Sequence, residues 1–184
     1  MESWFESKPR SHHMLSQVTD THDFSSMAIQ KDAFSMQKEA FKEMIEVADY
    51  CFTFDKSKDP RWTGYVGCYG YPTALILLSI IDSVGSIVEG GGDDTKTHFK
   101  VINNPKYYNL NLNSTEIEVL RSDYRNRLSH NSYMEAGIGL SLGYGKCKII
   151  EFTQNKYWIN LEPFLKISIE VVSKILEIGK PRNG

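Results

Sequence analysis

The 184-residue sequence has little of what usually announces a function. Cysteine is scarce: Cys51, Cys68 and Cys147 are odd in number and far apart, which argues against a disulfide framework or a zinc site and suits ordinary thiols in a reducing cytosol. Net charge is nearly absent, with 21 Lys and Arg against 23 Asp and Glu. No global field therefore draws in nucleic acid, and any phosphate-binding surface must be local. Long apolar runs are missing too. The most apolar stretch, Ala74 to Ile81, stops at Asp82, too short to span a bilayer, and the N-terminus lacks a basic and apolar signal pattern. The expectation is a cytoplasmic chain with no membrane association. No internal repeat or low-complexity tract appears, and glycines 90 to 92 lack the strand, lysine and spacing of a phosphate loop.

What is present is a core. With 41% hydrophobic residues, the length fits one domain better than two. Residues 1–30 mix Ser, Thr, His and Asp without a period and read as an irregular N-terminal arm. From residue 31 onward the pattern becomes helical. Phe34, Phe41, Met44, Ile45, Ala48, Cys51 and Phe52 make a first amphipathic helix that stops before Asp59-Pro60. Pro72 is placed to open a second helix, apolar on nearly every side, that ends at EGGGDD. A short third helix around KTHFKVI and an Asn-rich loop follow. The fourth helix begins at Asn113, with Glu116 three residues on as a capping box, and buries Ile117, Leu120, Tyr124 and Leu128. Between about 137 and 161 the period shortens, predicting a small β-hairpin or a pair of irregular strands. A last amphipathic helix has Pro163 in its first turn and Gly179 near its end. The fold class is thus mainly α: an up-and-down bundle of four to five helices with a small β insertion before the last.

Two polar features interrupt this pattern. Ser79, Asp82, Ser83 and Ser86 form one stripe on the buried second helix, and a buried carboxylate is costly unless something pairs with it. Asp82 either bonds to neighbouring backbone or a neighbouring helix's arginine, or lines a site. The second feature is SDYRNRLSHN, residues 122–131, late in the fourth helix. Asn126 and His130 are four apart and share a face, with Ser122 a turn earlier. Arg125 and His130 are five apart, about 140° on a straight α-helix, so they converge only if the helix breaks near SHNS or two chains meet across a two-fold axis. Their types suit phosphate chemistry. Arginine offers a fork of donors for phosphate oxygens, histidine exchanges a proton near neutral pH, and asparagine positions either. On RNA, the imidazole would take the ribose 2′-hydroxyl proton while the guanidinium stabilises charge growing on the phosphate.

Arg-Asn-x-x-x-His at the end of a capped helix, in a bundle whose long preceding helix carries an embedded Asp, resembles the HEPN family, the higher eukaryote and prokaryote nucleotide-binding domains. That signature is Arg, four to six residues, then His, commonly with a polar residue after the arginine; Arg125, Asn126 and His130 match it. The resemblance spans roughly residues 31–178 in helix order. It implies a helical bundle that forms a homodimer, with two motifs in a composite cleft, and a metal-independent, cofactor-free endoribonuclease. Arg125, Asn126 and His130 would be catalytic, and Asp82, Ser122 and Arg121 supporting or substrate-binding. Relatives act in toxin, phage-defence and RNA-processing systems, often beside a nucleotidyltransferase-type or other antitoxin partner; others are non-catalytic binding modules.

Other groups carry weaker readings. His12, His13 and His22 with Asp20 and Asp23 suggest a metal only if a mobile arm converges, so no metal is expected. Trp62, Tyr65, Tyr69 and Tyr71 either stack on bases or pack over the bundle's end, the commoner case.

Overall fold

A computed structural model describes residues 33–90, 92–131 and 137–177. The arm at 1–30, its histidines and aspartates, and Gly179 lie outside the described residues, as does the side chain of Phe34. The chain is mainly helical, with a small sheet before the last helix.

Helix α1 (Ala33–Thr53) buries Phe41, Ala48 and Cys51 and packs against α2 (Gly70–Val88) and α6 (Leu161–Glu177). It ends one residue after Phe52, the last of its apolar positions, and before Asp59-Pro60, as expected. The carboxylates of Asp55 and Asp59 accept hydrogen bonds from the Ser57 and Arg61 amides, capping two short 3₁₀ turns, Lys56–Lys58 and Pro60–Trp62. Such local side-chain bonds offer the backbone an alternative to continuing the helix, and Pro60 cannot donate to one.

Helix α2 is the central element. It packs against α1, α6, the short α3 (Thr95–His98), the 3₁₀ turn Phe99–Asn103 and the segment 119–126. The Ala74–Ile81 run alone is too short to span a bilayer, but the whole 19-residue helix is, against that expectation, long and apolar enough to cross one. In this fold its Leu77, Leu78, Ile80, Ile81 and Val84 are fully buried among the surrounding helices. Gly90, at φ 69°, follows its C-cap Glu89. A left-handed residue there ends the helix at little cost only when it is glycine.

The loop after the 3₁₀ turn is closed by one amide. Asn103 donates through Nδ2 to the Leu112 carbonyl and accepts the Leu112 amide on Oδ1, both at 2.7 Å. Helix α4 (Ser114–Glu118) opens on the expected capping box, with the Asn113 side chain on the Glu116 amide and Glu116 on the Asn113 amide. The expectation of one continuous α-helix to His130 fails, however. Val119–Asn126 is π-helical, and the α form returns only in α5 (Arg127–Asn131). Leu120, Tyr124 and Leu128 are buried as predicted, with Ile117 half-buried.

The β insertion is larger than a hairpin. Strands β1 (Ile138–Ser141), β2 (Ile150–Thr153) and β3 (Lys156–Asn160) form a sheet ordered β1-β3-β2. β2 and β3 make the antiparallel hairpin across Gln154 and Asn155, both at positive φ, while β1 adds a parallel edge. The sheet is bolted to the π-helical segment. Tyr124 Oη lies 2.7 Å from the Gly139 carbonyl and 2.8 Å from the Tyr157 carbonyl, which share its one proton, and it accepts the Gly139 amide at 3.0 Å. Gly139 also lies under Trp158, where a Cβ would fall 2.7 Å from the ring.

Candidate functional site

The polar stripe on α2 resolves into unequal parts. Ser79 turns back to the Leu75 carbonyl of its own helix, and Ser86 is exposed. Asp82 reaches outward to two other elements. Its Oδ2 accepts from Arg125 Nη2 at 2.8 Å, and its Oδ1 lies 2.7 Å from His98 Nδ1. Arg125 Nη1 in turn donates to Asn126 Oδ1 at 3.1 Å. A connected polar row therefore runs His98–Asp82–Arg125–Asn126, from the inside of α3 through the central helix to the end of the π-helical segment.

Both readings of Asp82 meet here: its carboxylate is paired with a neighbouring helix's arginine, and that arginine belongs to the candidate motif. Pairing accounts for the burial. The Asp82 side chain is 16% exposed and that of Arg125 27%, and an unpaired charge at such depth would be costly. The Asn126 side chain meets the arginine's second nitrogen.

His130 stands apart. It is exposed on α5, and among the described residues no hydrogen bond or ion pair joins it to Arg125, Asn126 or Asp82. Most of the chain between Arg125 and His130 is α-helical, so the π-helical turns before it do not by themselves align the two. Within this chain the motif is thus a fixed arginine and a separate, solvent-facing imidazole. Of the residues expected to support the site, Arg121 pairs with Glu118 at the end of α4, with Nη2 to Oε1 at 2.6 Å, and Ser122 is half-buried.

His98 is the member that sequence reading missed. It is 5% exposed. It lies 16 residues from Asp82, beyond any helical period, and reaches it because α3 presses against α2 at Gly85. A Cβ on Gly85 would overlap the His98 carbonyl. Gly85 is one turn from Asp82 on the same face of α2, so a glycine three residues after a buried aspartate was the available signal.

The aromatic loop packs on itself. Phe54 and Tyr69 stack at 4.2 Å, Trp62 meets Tyr65 and Tyr69 edge-on, and Trp62 Nε1 donates to Tyr69 Oη at 3.1 Å. Lys56 lies over the Trp62 ring at 4.7 Å. Tyr65 and Tyr71 remain exposed. The three cysteines are free thiols, with Cys51 and Cys68 pushed above the ordinary thiol range by burial. No metal-binding cluster of His, Cys, Asp and Glu occurs among the described residues.

No protein-family model matches the chain, and comparison with curated proteins and with solved structures finds no match. The reading of the site therefore rests on its own geometry and on the short motif.

Proposed function

We propose that this chain is a HEPN-type, metal-independent endoribonuclease whose Arg125 and His130 act on one phosphodiester in a cleft shared by two copies of the chain. The observation that carries this reading is the immobilised arginine. A long flexible side chain is tied down by Asp82 and Asn126, which use two of its five N–H donors and leave three for a phosphate. Fixing such a group in advance is what stabilising a charged transition state requires. The exposed imidazole of His130 is suited to the other half of the reaction.

In this mechanism His130 takes the proton from a ribose 2′-hydroxyl. The oxygen attacks the adjacent phosphorus, the bond to the 5′-oxygen breaks, and that oxygen leaves with a proton from solvent or from the imidazolium. Arg125 donates to the phosphoryl oxygens as their charge grows. Because one subunit keeps the two groups apart, the arginine of one copy works with the histidine of the other, which makes a homodimer part of the site. A nucleotidyltransferase-type or other antitoxin partner would restrain the activity.

One observation favours a second reading, a non-catalytic module that binds a nucleotide or a protein in the same place. Asp82 neutralises Arg125, and the chain as a whole is close to neutral, so phosphate attraction is modest. Incubating the purified chain with mixed RNA and a chelator, beside His130→Ala, separates the two. Cleavage by the parent and a loss of about 100-fold or more in the variant is expected. Undiminished cleavage by the variant removes the mechanism, and an inert parent favours the binding module.

A further inference from the structure

We propose that His98 is a positioning residue for Arg125, holding the Asp82 carboxylate in the orientation that fixes the guanidinium. Its catalytic consequence rests on the ribonuclease reading; its structural content does not. The imidazole is buried and places one nitrogen on Asp82 Oδ1 at 2.7 Å, while the carboxylate's other oxygen accepts from Arg125 Nη2 at 2.8 Å. A carboxylate that accepts on both oxygens is locked in rotation by two partners arriving from different elements, and removing either frees it to turn.

The other imidazole nitrogen argues that this bond is what the residue is for. His98 Nε2 is buried with no hydrogen-bond partner. An apolar side chain of similar volume would fill the same space without burying an orphan nitrogen, so packing alone gives no reason for histidine. A carboxylate oxygen only accepts, so a 2.7 Å contact to it requires the proton on Nδ1. Gly85 completes the device. By admitting the His98 backbone against α2, it sets the imidazole at the depth of Asp82, one helical turn away.

The test compares His98→Asn, whose amide places a donor near the position of Nδ1, with His98→Leu, which fills the space without one. Nitrogen-15 NMR of the Arg125 side chain reads restraint of the guanidinium directly, whether or not RNA is cut. Slowed rotation and distinct Nη signals are expected in the parent and in His98→Asn, and averaging to one signal in His98→Leu. If the parent cleaves RNA, kcat should fall about 10- to 100-fold in folded His98→Leu, with KM nearly unchanged, and return most of the way in His98→Asn. An unchanged Arg125 spectrum in folded His98→Leu overturns the proposal. Should His98→Leu not fold, the imidazole signals of the parent decide: a proton on Nδ1 that is protected from exchange and lost in Asp82→Asn supports it, and a proton on Nε2 alone overturns it. An inert parent that keeps this NMR pattern counts against the ribonuclease reading only.

Discussion

Asp82 Oδ2 and Arg125 Nη2 stand 2.8 Å apart although 43 residues separate them in the chain. The contact joins the central helix to the end of the π-helical segment, and most of its surroundings are protein rather than water. A solvent-exposed pair would contribute little; one this enclosed leaves a stranded charge when either member is removed. Asp82→Ala should therefore cost about 1–3 kcal/mol, as should Arg125→Met. In a double-mutant cycle by urea denaturation the two should couple by about 1 kcal/mol or more. Additive effects would mean that the pair contributes nothing beyond its packing.

Gly85→Ala tests the close approach that brings His98 to Asp82. Alanine ordinarily improves a helix interior by roughly 1 kcal/mol over glycine. Here the added methyl meets backbone, which cannot swing aside. The expected outcome is a net loss of about 1–3 kcal/mol in chemical denaturation. A gain in stability would show that α2 and α3 separate without penalty.

Tyr124→Phe removes the hydroxyl that ties the π-helical segment to two strands and leaves the buried Gly139 amide without its acceptor. A loss of about 1–3 kcal/mol is expected. The same residue gives a pH dependence. Burial raises Tyr124 and Tyr108 above the ordinary phenol value of about 10, so the folded state holds these protons more tightly than the unfolded chain does. Their contribution is complete below about pH 10 and is lost as pH rises toward the folded values, by roughly 1.4 kcal/mol per pH unit for each group. Denaturation midpoints measured between pH 9 and 11 should fall more steeply in the parent than in Tyr124→Phe; parallel curves would remove Tyr124 from the account.

Asn113→Ala breaks the capping box that starts α4 and should cost about 1 kcal/mol. Asn113→Ser should recover most of it, as read by thermal unfolding. Equal losses in the two variants would show that the cap is incidental.

The parts legible in the sequence are those set by neighbours in the chain. Asn113 and Glu116 satisfy each other within one turn, so a spacing of three was sufficient to find them. The apolar periods of α1, α2 and α6 marked the bundle, because a helix with a hydrophobic face must bury it. The shortened period between 137 and 161 marks a small hairpin or a pair of strands, and the β2–β3 pair answers to it, whereas the parallel addition of β1 does not show in it. A parallel partner needs a distant crossover and leaves no local mark. The π-helical stretch was equally hidden: Tyr124 reads as an ordinary buried helix position until the sheet's carbonyls are in place to receive its hydroxyl.

By itself the sequence determined that a helical bundle with a small sheet would form, and that Asp82 had to find a partner, since burying an uncompensated carboxylate is prohibitive. Only the tertiary structure decided which partners it found. Arg125 was foreseeable as a type and His98 was not, because their meeting depends on two helices closing at Gly85 and on a hydroxyl holding the π-helical segment to the sheet. Such contacts are fixed by packing across long separations, where no period along the chain records them.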